Sequence, residues 1–358
     1  MEKRWVQMDV AKGVGILIIV FGHGWFVANS PDLLYPILAS FILPLFFFLS
    51  GVFFKPEQPF WQTAIRKADA LLKPFFVTML VYVVIRDLLR HQPLLADIGG
   101  VFYASVDTIP WQALWFLPHF WLATLYAWVF LRVVRLLQLS LPLSCALVAL
   151  QLLFGILCLG WFWQIPVTFG EHQWLLPGLP FSLEIVPISS TFFIYGYLLR
   201  GRLREHHSSI WTLLLSVLIF AALFLYSHAS QDLAQRRYDH WFWSSAMSVC
   251  GVYLCWALSG VLMQVPWLRG PMNYIGQSTL ILLIFHGEIQ HKTFALLEYL
   301  GLPTVLAASV ALVVAVVVPL LIGELIKRVA VLRWFYHPFP QKKRPGVKPG
   351  ALQTPAKP

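Results

Sequence analysis

The sequence predicts an all-α integral membrane protein of about ten transmembrane helices with both termini in the cytoplasm. Three observations carry that reading: apolar residues far in excess of charge, apolar runs of membrane-spanning length, and a one-sided distribution of Lys and Arg. Of 358 residues, 59% are hydrophobic and 12% charged, with a mean hydropathy of +0.72. Soluble domains carry roughly 25% charged residues. A water-soluble core has no place for so much apolar surface, whereas a bilayer has, provided every backbone polar group is satisfied inside a helix. The 16 Trp and 28 Phe fit the same solvent, since Trp favours the interface where one edge meets hydrocarbon and the N–H meets water.

A hydrocarbon layer about 30 Å thick needs about 20 apolar residues per helix. Spans of that kind fall at 10–28, 33–54, 71–90, 111–131, 143–163, 181–199, 211–228, 242–263, 276–297 and 303–326. Pro44, Pro118 and Pro187 lie within them and are expected to free a backbone carbonyl and favour a kink. The opening stretch from Met1 to Phe26 has the basic-then-apolar order of a signal peptide, but Asp9, Lys12 and His23 interrupt it, so an uncleaved first helix is expected.

Charge orients the bundle. With a cytoplasmic N-terminus, 21 of the 26 basic residues fall inside, leaving only Arg86, Arg90, Arg236, Arg237 and Lys292 outside, where ten of the 16 acidic residues also fall. This is the inside-positive pattern, and an odd number of spans would scramble it. The net charge of +10 therefore reports topology, and no nucleic-acid partner is expected. Cys145, Cys158, Cys250 and Cys255 all lie in apolar runs without CxxC spacing, so no disulfide and no metal site is expected. Residues 1–336 read as a single domain. Residues 337–358 read as a basic, Pro-rich cytoplasmic tail with too few apolar side chains to fold, serving as an anchor on anionic lipid.

Polar side chains inside a span are costly and mark function by default. The first span holds Asp9, Lys12 and His23. Eleven residues at about 100° each bring Lys12 and His23 to within about 20° of one face, about 16 Å apart along the axis. Asp9 stands three residues before Lys12, where it can pair with it. Taken singly, Lys12 reads as well as a topology anchor and His23 as a structural histidine. Their shared face, beside Gly13, Gly15, Gly22 and Gly24, favours a site that a neighbouring helix or a substrate approaches closely. His119 and His286 are expected at similar depth, making a polar pocket conceivable, with a structural role favoured for His119. Arg66, Lys67 and Lys73 are placed in a cytoplasmic loop after the second span, either as an inside-positive signal or as an anion cradle for phosphates.

Several of these segments, in order along the chain, resemble the membrane acyltransferase-3 family, nearest its fucose 4-O-acetylase-like branch. The opening Arg4-Trp5-Val6-Gln7-Met8-Asp9-Val10-Ala11-Lys12-Gly13 with Gly22-His23 is similar to the family's basic residue, ten intervening residues and histidine. Phe46 to Gly51 resembles its Phe-x-x-Ser-Gly segment, Trp115-Phe116-Leu117-Pro118 its fourth-helix motif, and Asn273 to Leu280 followed by His286 its late helix. One position departs: where the family has an Arg-x-x-Arg pair before a Leu-Leu-x-Pro stretch, this chain has Lys67 and Ala70 before Leu71-Leu72-Lys73-Pro74. Lys73 or Arg66 is then the candidate substitute.

The resemblance implies an acyl-CoA-dependent O-acetyltransferase of the bacterial cytoplasmic membrane. Acetyl-CoA would be a co-substrate rather than a bound cofactor, with succinyl or other donors as alternatives. The implied acceptor is a glycan or lipid-linked oligosaccharide destined for the cell surface, and the bilayer is the remaining partner. His23 would act as general base or carry the acyl group briefly. Lys12, with Asp9, would tune or hold the donor path, and His286 would share the pocket. Arg66, Lys67 and Lys73 would hold the CoA phosphates. Ser50, the Gly51 region, Trp115 and His119 would line the pocket, the first three as candidates for stabilising the oxyanion. The rival reading is a multi-pass transporter or flippase for a glycolipid or glycan, since intramembrane ionisable residues also mark transport pathways. The absence of an internal repeat weighs against it, and no soluble signalling domain supports a sensor.

Overall fold

A computed structural model describes residues 5–91, 94–169, 172–205 and 208–339. The tail from residue 340 onward, and Lys3 and Arg4 at the other end, lie outside the described residues.

The chain begins with α1 (Val6–Gly22), the one-turn α2 (Trp25–Ala28), α3 (Leu34–Val52), α4 (Phe60–Arg90) and α5 (Leu94–Tyr103). A 3₁₀ turn at Gln112–Trp115 leads into α6 (Phe116–Leu136), followed by α7 (Leu141–Cys158). An antiparallel hairpin of β1 (Trp163–Phe169) and β2 (His172–Pro177) and a second 3₁₀ turn (Pro180–Ile185) precede α8 (Val186–Glu205) and α9 (Ile210–Ser227). A short hairpin of β3 (Gln231–Asp232) and β4 (Arg237–Tyr238) leads to α10 (Trp241–Met263), α11 (Pro266–Gln277), α12 (Thr279–Tyr299), α13 (Thr304–Arg328) and α14 (Ala330–Tyr336).

The fold is an all-α integral membrane bundle. Among the described residues, eight helices are long and apolar enough to cross a membrane: α3, α4, α6, α7, α8, α9, α10 and α13, with α6 and α8 counted with their preceding 3₁₀ turns. The other two expected spans are also helical. They are α1, with 17 residues, and α12, which carries Glu288, Lys292 and Glu298. Burial varies widely between helices. Two thirds of the α8 window, 67%, is inside the protein, against 17% for α9, whose Trp211, Leu214, Leu218 and Leu225 face outward as a lipid-facing helix requires.

Four expectations about local structure change. First, the third helix begins at Phe60 rather than at residue 71, so Arg66, Lys67 and Lys73 lie on helical turns of α4 and not in a loop. Ala, Arg, Lys and Gln are good helix formers, and nothing between Pro59 and Leu71 interrupts them. Second, Pro118 and Pro187 do not sit at kinks. Both fall in the first turn of their helices, where the missing N–H has no intrahelical acceptor to lose, and only Pro44 of the three is interior. Third, the fifth span stops at Cys158, and β-forming Trp163, Ile165, Val167, Thr168 and Phe169 build a hairpin strand. Fourth, the first span breaks: α1 ends at Gly22, and α2 restarts at Trp25.

α1 is the hub of the bundle, packed by α3, α10, α11, α12 and α13. In lipid there is little hydrophobic drive between helices, so close backbone approach and polar contacts hold them together. The approach is closest where glycines face backbone. A Cβ on Gly276 of α11 would strike the Asp9 carbonyl of α1, and one on Gly13 would strike the Met272 carbonyl of α11. The α3–α8 pair repeats the device, Gly51 lying against the Phe193 carbonyl and Gly196 against that of Phe48. Aromatic packing fills the larger gaps, with Phe47, Phe75 and Phe193 wholly buried in the core around α3, α4, α6 and α8.

Candidate active site

The break in α1 fixes the position of His23. Its own N–H still donates to the Ile19 carbonyl (3.1 Å), so it completes the last turn of α1, and the extended Gly24 then turns the chain into α2. A glycine suits Gly24 because the α12 side chain of Gln290 packs directly against its Cα. His23 is therefore held at the end of a helix with its ring directed into open space. It is exposed, and it lines a cavity of about 390 Å³ inside the bundle.

Lys12 lines that same cavity, as the shared-face argument requires, and the Asp9 carboxylate stands 3.7 Å from its ammonium. Ser50 and Trp115 also line it, while the rest of the wall is mostly apolar: Ile16, Ile19, Leu43 and Phe46 among others. A few polar groups on an apolar wall are what a pocket needs to orient a ligand.

Behind His23 lies His286 on α12, with ring centroids 5.2 Å apart. His286 is fully buried, and its Nδ1 is 2.9 Å from the Leu282 carbonyl and 3.1 Å from that of Leu283. Carbonyls only accept, so Nδ1 carries the hydrogen and Nε2 is the lone-pair nitrogen. No described group donates to that Nε2. The pair thus places one accessible imidazole against a hidden one whose free nitrogen is an acceptor. One turn further along α12, the buried Gln290 likewise has an unpartnered carbonyl oxygen, Oε1.

The basic residues divide. Lys67 packs over the Phe120 ring of the cavity wall (5.7 Å), near enough to Arg66 and Lys12 to feel their like charges; of the three, Lys12 itself lines the cavity and the other two stand beside that end. Lys73 does not join them. It pairs with Asp69 (2.6 Å), donates to the His337 carbonyl (2.8 Å) and sits over the Phe339 ring (3.7 Å). Phe339 N–H in turn donates to Asp69 (2.6 Å), which clips the segment after α14 onto α4. Burial, together with the charges of Lys327, Arg333 and Lys73, pushes His337 below the usual histidine range.

Two further expected pocket residues lie elsewhere. His119 is fully buried and off the cavity wall, with both ring nitrogens engaged, Nδ1 to the Phe181 carbonyl (3.1 Å) and Nε2 to the Ser189 hydroxyl (2.8 Å). It is a structural histidine tying α6 to α8. Gly51 faces α8 rather than the cavity, because only a glycine admits the Phe193 backbone there. All four cysteines are free thiols, and among the described residues no group of three or more His, Cys, Asp or Glu side chains is arranged to hold a metal ion.

Sequence reasoning did not single out Tyr35, Gln112, Asp232 or Gln235, all of which line the cavity. Nor did it find the buried ion pair between Arg236 and Glu184 (2.6 Å), whose side chains are 0% and 1% exposed. Asp232, Gln235 and Arg236 sit in a polar connection between spans, where nothing in the pattern distinguishes a wall from a solvated loop.

The candidate site is thus a membrane-embedded cavity with Lys12 and His23 on its wall and His286 packed behind. Residues 5–324 match the acyltransferase-3 family, whose description is an acyltransferase domain, and the chain belongs to that family. No curated protein and no solved structure matches the chain. Membership makes it a membrane acyltransferase and favours the transferase over the transporter.

Proposed function

We propose that this acyltransferase moves an acetyl group from acetyl-CoA, bound at the cytoplasmic face, to a sugar hydroxyl of a surface polysaccharide or its lipid-linked precursor. It would do so in the bacterial cytoplasmic membrane with both termini cytoplasmic, as a relative of the fucose 4-O-acetylase-like branch. The observation that carries the reading is the shared cavity wall of Lys12 and His23, with His286 packed behind.

The chemistry follows from that wall. CoA phosphates cannot enter hydrocarbon, and Lys12, Arg66 and Lys67 meet them at the basic end. The thioester reaches along the apolar wall toward His23. The neutral imidazole of His23 takes the proton from the sugar hydroxyl as its oxygen attacks the thioester carbonyl. The Trp115 indole on the wall is the donor for the oxyanion that forms, whereas Ser50, at the Lys12 end of the cavity, stands too far from His23 to serve. Collapse of the tetrahedral intermediate breaks the carbon–sulfur bond, and the departing thiolate takes the proton back from His23, leaving an acetyl ester and free CoA. In the relay form, a His23 nitrogen attacks first and expels the CoA thiolate; the sugar oxygen then takes the acetyl from the acyl-imidazole, its proton neutralises the thiolate, and His23 is regenerated. In both, His286 is a positioning residue: its Nε2, buried and without a partner beside the His23 ring, would take the His23 ring N–H and so direct the other His23 nitrogen to the cavity.

The test is direct. Purified full-length protein in nanodiscs receives acetyl-CoA labelled in its acetyl group and surface glycan from cells lacking the gene. Base-labile label should appear in the glycan with stoichiometric release of free thiol. Consumption of no acetyl-CoA would end the donor assignment, and movement of glycan across vesicles without acetylation would restore the transporter.

A further inference from the structure

The cavity has a second end that the donor does not use. α3 runs its length, with Tyr35 in the first turn and Ser50 in the last, a separation of about 22 Å at 1.5 Å per residue. Ser50 belongs to the end of Lys12, whose ammonium sits 5.8 Å from the Phe53 ring centroid just beyond α3. Tyr35 therefore marks the opposite end, where Asp232 and Gln235 complete the polar lining.

This end is built rather than incidental. The Asp232 carboxylate is only 5% exposed and already oriented by three donors. Its Oδ1 accepts from the backbone N–H groups of Ala234 (3.0 Å) and Gln235 (3.1 Å), and its Oδ2 accepts from the Tyr35 hydroxyl. The hairpin that carries it is pinned from two sides. The fully buried Gln231 amide donates to the Ser40 carbonyl (3.0 Å) and the Ser248 hydroxyl (2.8 Å). Arg236 donates to Glu184 and to the Ser182 hydroxyl (2.9 Å). A connection between helices is thereby made as rigid as a helix face. What it presents is a phenol oxygen with its lone pairs free to accept, a carboxylate, and a side-chain amide that both donates and accepts.

We infer that Tyr35, Asp232 and Gln235 form a recognition subsite for a neutral, hydroxyl-rich sugar ring. Vicinal hydroxyls both donate and accept, which matches this set, and the apolar wall between Val27 and Leu38 suits the C–H face of a pyranose. The Asp232 charge repels acidic sugars, so the subsite selects by charge as well as by shape. That the bound sugar is the acetyl acceptor rests on the transfer reading above; that a sugar binds here does not.

The experiment measures binding alone. Full-length protein in nanodiscs is titrated with 4-nitrophenyl glycosides of glucose, galactose, mannose and fucose, and with 4-nitrophenyl glucuronide as the anionic probe. Acetyl-CoA affinity on the same samples reports that each variant is folded. At least one neutral glycoside should bind the unaltered protein more tightly than the glucuronide. Tyr35→Phe and Gln235→Ala should each weaken that glycoside about 3- to 10-fold, the range for one lost hydrogen bond. Asp232→Asn keeps an Oδ1 acceptor for the turn and should narrow the gap between neutral and anionic probes. No neutral glycoside binding, or equal affinity across all variants, overturns the subsite. If the predicted binding pattern holds while the unaltered protein turns over no acetyl-CoA, the subsite stands and the transfer reading falls.

Discussion

The two ends of the cavity are made differently. At the basic end, Lys12, Arg66 and Lys67 stand on α1 and α4, regular helices that the packing of the bundle brings together. At the other end, Asp232 and Gln235 stand on a hairpin too short to hold a shape by itself, and a buried ion pair with a buried amide holds it instead. The first end tolerates loss of a side chain because the helix beneath it survives. The second depends on specific side-chain bonds, since no regular helix underlies it. Under the proposed chemistry the contrast in charge would sort the ligands, an anionic donor to the basic end and a neutral sugar to the other, with His23 on the wall they share.

The largest expected effect lies at that common wall. His23→Gln keeps hydrogen-bonding capacity and removes the base, so transfer should fall about 10²- to 10⁴-fold with normal membrane levels of protein. Near-normal glycan acetylation in verified membranes would move the chemistry to His286. Next comes the support of the hairpin. Arg236→Ala strands the buried Glu184 carboxylate, a loss of about 3–5 kcal/mol for a broken buried pair, seen as a lower thermal unfolding midpoint in detergent. If the midpoint is unmoved, the hairpin is not held as described. At the basic end, Arg66→Glu with Lys67→Glu should weaken acetyl-CoA binding about 10- to 100-fold, the scale of lost hydrogen bonds to charged groups. Added salt should weaken donor binding by screening while leaving neutral glycoside binding level. Smallest of all is Lys73→Ala: acetyl-CoA affinity should stay unchanged, because Asp69, His337 and Phe339 already engage that ammonium. A donor defect there would return Lys73 to the phosphate site.

The same contrast explains what could be read in advance. Lys12 and His23 were legible because a helix converts spacing into direction, and a break after Gly22 comes too late to undo it. His286 was legible by depth, a polar ring in an apolar run. His119 met the same criterion yet is fully satisfied, since depth says nothing of a ring's partners. Gly51 was placed correctly on α3, but which neighbour it faces is settled by the tertiary approach of α8. That Lys73 stands apart from Arg66 and Lys67 could not be read in advance, because besides Asp69 its partners His337 and Phe339 lie far along the chain. Asp232 and Gln235 were illegible because a polar connection looks the same whether it is solvated or folded back as a wall.

The contacts across α1 also set an order of assembly. Ribosomes deliver α1 to the membrane before α11 and α12, yet the backbone that seats against Asp9 and Gly13 belongs to α11, and the ring behind His23 belongs to α12. Until the last third of the chain has been inserted, α1 has neither its closest neighbour nor the second histidine. A nascent or truncated chain therefore displays the Lys12–His23 motif without a reaction chamber around it. Under the proposed chemistry, a chain that has not yet placed α11 and α12 against α1 has no means of wasting acetyl-CoA.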